Sequence, residues 1–440
     1  MKLIAIAATL ALAVLMFFIR REYKLAVMFM STILLTPLIL PFKGITPAIV
    51  FTLAFLLSEI PYIRIHWKRI RFSVILPYLI LALVAFALAV ITSPHLHEAN
   101  SLGFFTLSDL LSKQLAIVYA FIALRRNKSI QPLLTVSFAA LLLMTLVGVV
   151  NYFTGYSFYV EELLDESYSF ISTSRFRVQA TFNNPFDYGY ICVLLALLHL
   201  YGYSQRQETG GRFIIAQLCC LFGVVTCNCR TVLFCYLVCL IIYFVAQRKD
   251  IKVKLAVLGG SAAAGLLLML LVPKARRMLL SVFSIFDANA VTDGSSLGMR
   301  LSQLGTVIYY IRDKVLFGNG VHFFEEDLGW DNGASGKEVD TDLFGLEGIG
   351  LNLLLERGVI GLLLFLAMIL LLLVFICRHR KLGRKLYALG LSVILLYILF
   401  SFMTGELNSA RPAFYLLGYV ISNLTLRKRY LLWKKKHAES

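Results

Sequence analysis

Residues 353–377 read LLLERGVIGLLLFLAMILLLLVFIC, and this stretch decides the fold. It is apolar almost throughout, with its two charges, Glu356 and Arg357, close to its start. At 1.5 Å per residue such a helix exceeds the ~30 Å of hydrocarbon in a bilayer. Twelve further runs share the character: 3–19, 25–41, 45–63, 73–92, 102–124, 131–152, 186–203, 213–228, 231–247, 255–272, 386–403 and 412–426. The runs are continuous rather than alternating. That favours helices over a barrel, the only two structures that satisfy their own backbone in lipid. The sequence therefore predicts an all-α integral membrane protein with about 12–13 transmembrane helices, twelve if the first two runs form one broken element. The basic flank Arg20-Arg21 follows the first run instead of preceding it, which distinguishes a retained helix from a signal peptide.

Composition agrees. Of 440 residues, 59% are hydrophobic and only 15% charged, against about a quarter charged in a soluble domain. The formal net charge of +17 could suggest nucleic acid, but its distribution excludes that partner. Most Lys and Arg sit in short clusters between apolar runs, such as Arg64 to Arg71, Arg248 to Lys254, Arg378 to Lys385 and Arg427 to Lys436. They occupy alternate loops, which the positive-inside rule makes cytoplasmic. The remaining loops fall outside, and two are long. The chain divides into N-terminal transmembrane helices (1–152), a first large outer loop (153–185), central transmembrane helices (186–272), a second large outer loop (273–352), C-terminal transmembrane helices (353–426) and a basic cytoplasmic tail (427–440). The second loop holds an amphipathic stretch, Met299 to Leu316, with Leu301, Leu304, Ile308 and Ile311 on one face. It reads as a helix on the membrane surface or capping the bundle. The eight cysteines lie in or beside apolar runs and make no disulfide framework.

Charges on the outer side are few. Arg175 and Arg177 close the first loop, Arg230 stands at the break between two runs, and Arg300 opens the amphipathic stretch. All four run against the positive-inside trend. A guanidinium offers a planar fork of donors that fits phosphate, so several converging would hold a lipid-linked pyrophosphate. The plainer alternatives are lipid headgroups, or pairing with Glu161, Glu162, Asp165 and Glu166 of the same loop. Asp109 and Lys113, four apart inside a run, can pair on one helix face or serve function. His95, His97 and Glu98 lack a fourth metal ligand. His322 with Glu325, Glu326 and Asp327 reads as a solvated loop face. Asp340, Asp342 and Glu347 precede the eleventh run, where a carboxylate could take a proton from a sugar hydroxyl.

Three separated segments resemble one family. Arg177-Val-Gln-Ala-Thr-Phe-Asn-Asn184-Pro185 is similar to the R-x-x-G-T-F-x-N-P-N signature of bacterial O-antigen ligases and polymerases. Cys229-Arg230-Thr231 resembles their S-R-T segment. Arg300, the amphipathic stretch, Gly318-Asn-Gly320 and Phe323 resemble the R-(x)n-G-x-G-x-x-F segment of their periplasmic loop, and Gly358-Val-Ile-Gly361 their G-[LI]-I-G. Ala180 stands where the family usually has Gly, and Phe186 where it often has Asn. Glu347 stands where ligases carry a His, which favours polymerase over ligase.

The resemblance implies a glycosyltransferase C-like fold, no metal and no cofactor. It implies an undecaprenyl-pyrophosphate-linked oligosaccharide as donor and another as acceptor, in a bacterial plasma (inner) membrane, with the site facing the periplasm or exterior. Arg177, Arg230 and Glu347 are its catalytic candidates, Glu347 as the base with Asp342 behind it. Arg175, Asn184, Arg300, His322 and Asp342 are its substrate-binding candidates. A ligase acting on a lipid A core, a flippase for lipid-linked glycan, and a scaffold are the competing readings. Whether a chain-length regulator binds is left open.

Overall fold

The computed structural model describes residues 2–35, 38, 46–93, 107, 109–124, 130–164, 177–247, 259, 297–321, 323, 348–404 and 410–438. Among these, every regular element is a helix. In chain order they are α1 (Lys2–Leu15), α2 (Arg21–Leu34), α3 (Pro47–Glu59), α4 (Ile63–Arg71), α5 (Ile75–Thr92), α6 (Ala116–Ala123) and α7 (Gln131–Thr154). There follow α8 (Phe158–Leu164), α9 (Pro185–Ser204), α10 (Gly210–Thr226), α11 (Arg230–Gln247), α12 (Leu297–Ile311), α13 (Ile349–Arg378), α14 (Arg384–Thr404) and α15 (Arg411–Ala438).

Seven of the described helices are long and apolar enough to cross a membrane: α3 continued through α4, α5, α7, α9, α11, α13 and α14. Lys2–Leu15, Leu110–Ala123 and Gly210–Thr226 are apolar but shorter. The protein is thus an all-helical membrane protein. The expected run 255–272, residue 259 apart, lies outside the described residues, as do 165–176 of the first expected large loop and most of the second.

Helix α9 is the centre, buried along nearly its whole length. It packs on α7, α10, α11, α14 and α15. Small residues bring the backbones together, as lipid-embedded helices require in the absence of a hydrophobic drive. A Cβ at Gly189 would lie 2.6 Å from Val232, and one at Gly223 would lie 2.3 Å from the Cys192 sulfur. Contacts along α9 fix the direction of its neighbours. Tyr190 stacks edge-on against Phe400 at 5.1 Å, and the hydroxyls of Tyr201 and Tyr419 are 3.0 Å apart. Helices α9, α11 and α15 therefore run parallel, with their N-termini at one end of the bundle.

The opposite end carries the basic loops, and buried ion pairs tie it together. Glu59 accepts from Arg21 Nε at 2.7 Å, His66 Nε2 at 2.9 Å and Lys24 Nζ at 3.2 Å, joining α2, α3 and α4. His199 Nδ1 lies 2.7 Å from Glu208 Oε1, and Arg212 Nε lies 3.3 Å from the same oxygen.

Helix α13 is broken near its start. Gly358 has φ 61° and ψ −166°, a conformation open only to glycine. The break frees two carbonyls and two N–H groups, which lipid could not satisfy. The segment after α12 satisfies them: Asn319 and Gly320 donate to Leu355 O at 3.0 Å and Glu356 O at 2.8 Å. In return Val359 and Ile360 donate to Val315 O at 2.9 Å and Leu316 O at 3.1 Å. A Cβ on Gly318 would sit 2.5 Å from the Glu356 carbonyl carbon, and one on Gly358 would sit 2.5 Å from that of Leu316.

Helix α12 corrects one expectation. It packs against α13 through Val307 and Ile311, with Gln303 also fully buried. Of the stripe read from spacing, Leu301 and Ile308 are exposed and Ile311 is buried. Its apolar surface is wider than the stripe read from spacing, and α13 takes the neighbouring side. The helix also ends at Ile311, before Leu316, because residues 312–317 turn toward the break in α13.

Candidate functional site

The end holding the N-termini of α9, α11 and α15 gathers charges that an apolar bundle otherwise excludes. The entry to α9 builds the first part. Val178 N–H donates to Thr226 O at 3.1 Å, laying residues 177–184 across the junction of α10 and α11. Ala180 turns the chain with φ 49°. Thr181 Oγ1 then donates to Ile33 O at 2.6 Å, anchoring the segment on α2. Asn184 caps α9: its Oδ1 accepts the Asp187 N–H at 2.7 Å and its Nδ2 donates to Asp187 Oδ2 at 2.8 Å. Pro185 follows at the first helical position, where its missing N–H has no cost. The capping role, worth about 0.5–2 kcal/mol, accounts for Asn184 in this place. It leaves little of that side chain to hold a substrate.

Arg177 lies at the corner this segment makes. Its guanidinium stands 5.8 Å from the Phe186 ring centre, where aromatic Phe186 offers a face that Asn would not. Its Nε is buried and has no hydrogen-bond partner among the described residues. The Cys229 thiol lies within reach of the Arg177 charge. Asn228, with φ 52°, turns the chain between α10 and α11, and Arg230 opens α11 immediately beyond Cys229. Arg177 and Arg230, far apart in sequence, thus flank one turn. The alternative in which Arg177 pairs with the acids of its own loop has no support in Glu161. That carboxylate engages Tyr156, and the hydrogen bond raises the phenol's pKa above its ordinary value.

Two residues join this end that sequence reading did not select. Asp187 is buried in the first turn of α9. Arg411, the first residue of α15, lies within electrostatic reach of Asp187, Asp109 and Tyr415. Its Nε is also buried and without a partner among the described residues. The signal was present in both cases. Asp187 is a carboxylate within an apolar run, and Arg411-Pro412 repeats the pattern of an arginine on a loop free of basic clusters. Asp109 pairs with Lys113 at 3.1 Å, in a π-helical turn, as the four-residue spacing allowed.

The other candidates are less fully placed. Arg300 lies in the first turn of α12, but its side chain is outside the described residues. Arg175, His322, Asp342 and Glu347 lie outside them altogether, as do His95, His97 and Glu98. Among the described residues no cluster of His, Cys, Asp and Glu could hold a metal ion. What the described part supplies is three arginines, Arg177, Arg230 and Arg411, at one end of a low-dielectric bundle. Such groups act most strongly on an anion, and on negative charge that develops there. Comparison of the chain with protein-family models and with curated proteins finds no match.

Proposed function

We propose that the protein is a membrane glycosyltransferase that polymerises undecaprenyl-pyrophosphate-linked oligosaccharide repeats into a surface polysaccharide. The single observation that supports this reading is the hydrogen bond from Val178 N–H to Thr226 O, which sets the segment bearing Arg177 beside the turn that leads into Arg230. Each belongs to a segment that resembles the same family of O-antigen polymerases and ligases. In this reading that end of the bundle faces the exterior of a bacterial plasma membrane, and the fold is of the glycosyltransferase C kind. Arg177 and Arg230 hold the departing pyrophosphate and stabilise its growing charge, as a metal does elsewhere. Arg300 adds to the same site. Glu347, with Asp342 behind it, takes the proton from the acceptor hydroxyl as that oxygen attacks the anomeric carbon and the pyrophosphate leaves.

The test is the glycan ladder made by cells whose only copy of the gene encodes a variant, with membrane level checked by immunoblot. A charge-assisted phosphate contact is worth roughly 1.5–3 kcal/mol, so Arg177→Ala or Arg230→Ala is expected to cut polymerisation by about 10- to 100-fold or more. Arg177→Lys keeps the charge but loses the fork, and is expected to give shorter chains. Full-length ladders from both alanine variants would end this reading. Unchanged polymer from Glu347→Gln would remove the base alone. Long lipid-linked polymer that is made but never attached, seen when the chain is deleted, would point to the ligase.

A further inference from the structure

At the opposite end of the bundle, a cleft of about 480 Å³ opens between α11 and α14. Its mouth carries Arg380 and Lys381 from the connection between α13 and α14 and Arg384 from the start of α14, all exposed. Its walls are apolar: Val245 comes from α11, and Leu391 and Leu395 come from α14. Among the described residues no carboxylate lines it. Leu395 lies eleven residues beyond Arg384 along one helix. At 1.5 Å per residue that is about 16 Å, close to half of the ~30 Å hydrocarbon thickness. The cleft is therefore as deep as one leaflet, cationic where headgroups lie and apolar where acyl chains lie.

We infer that this cleft binds one anionic phospholipid from the leaflet at the basic-loop end, its phosphate on Arg380, Lys381 and Arg384 and one acyl chain along Val245, Leu391 and Leu395. Charge complementarity selects an anionic headgroup over a zwitterionic one, because three cations without an acid leave an excess that phosphatidylcholine cannot neutralise. The apolar depth selects a lipid over a free anion, which would desert the walls. The inference does not depend on the proposed transferase activity, since the cleft is at the other end of the molecule.

The test uses the purified full chain in detergent and counts retained lipid by native mass spectrometry. Phosphatidylglycerol and phosphatidylcholine of the same acyl composition are offered together. The parent is expected to retain phosphatidylglycerol in preference. Each basic residue near a membrane surface adds about 1 kcal/mol toward anionic lipid, so Arg380→Gln with Arg384→Gln is expected to reduce the preference by roughly 30-fold. Arg380→Lys with Arg384→Lys should keep most of it, and Leu395→Trp, which fills the depth, should lower retention of both lipids. Equal retention of the two lipids by the parent would overturn the inference without any variant. So would displacement of bound phosphatidylglycerol by millimolar inorganic phosphate, which would make the site one for a free anion. Efficient disulfide trapping in native membranes between Leu391→Cys and a cysteine placed in residues 255–272 would also overturn it, because the chain itself would then fill the cleft.

Discussion

Ala180 occupies a backbone conformation that its side chain resists. Its φ of 49° serves the turn from the α10–α11 junction to the anchor on α2. A left-handed conformation costs an L-residue about 1–2 kcal/mol, while glycine's extra freedom in the unfolded chain costs about 0.5–1 kcal/mol. Ala180→Gly should therefore stabilise the protein slightly, by about 0.5 kcal/mol. Ala180→Val adds a β-branched side chain at a fully buried left-handed position and should lose at least about 2 kcal/mol. Thermal unfolding of the purified protein in detergent measures the order. A valine variant as stable as the parent would show that this turn is not formed. The resemblance to a family with glycine here marked the position in the sequence, and the positive φ supplies the reason. Arg177 and Arg230 were legible for a different cause, the scarcity of charge beside those runs. Arg411 and Asp187 obey the same rule and could have been selected by it. What the sequence could not display is that positions 187 and 411 come within electrostatic reach of each other.

At the scale of elements, the break in α13 and the turn after α12 form one device. The glycines at 318, 320 and 358 each read as a turn or helix boundary in the sequence, but pairing between them is a tertiary fact. Gly358→Ala would place a Cβ 2.5 Å from the Leu316 carbonyl, in a region of φ and ψ that alanine does not enter. The expected loss is at least about 3 kcal/mol, with faster proteolysis of the segment that follows Gly320. Gly305→Ala is the comparison. Nothing lies within 4 Å of its Cβ, and its place in a helix interior predicts a gain of up to about 1 kcal/mol. If both substitutions had the same small effect, the interlock would not hold α13. The packing of α12 was not legible for a related reason. Spacing finds an apolar stripe, but it cannot say which part of a broad one a partner covers, and here the buried set includes Gln303.

For the molecule as a whole, the hydrophobic runs announced the class because lipid imposes helices of a minimum length. Of the thirteen runs, all but 255–272 hold a helix among the described residues. Their arrangement was not legible, since an apolar run carries no address. Small residues at 189 and 223 and the buried tyrosines put α9 at the centre, and there, as where α15 packs on α6 and α13 on α5, the two halves of the chain meet. Asp187 and Arg411 come within electrostatic reach of each other at α9, a carboxylate from the middle of the chain and a guanidinium from its last helix. Removing one of two opposite charges within reach leaves the other less compensated in the bundle, whereas replacing both with apolar or neutral groups is often tolerated. Arg411→Met alone should therefore lower the unfolding temperature sharply, and Asp187→Asn together with Arg411→Met should restore much of it. The double variant then separates architecture from chemistry. If the pair only joins α9 to α15, regained stability will bring regained polymer. If Arg411 belongs to the cationic end that holds the pyrophosphate, the double variant will be stable and still make short chains. The proposed site predicts the second outcome.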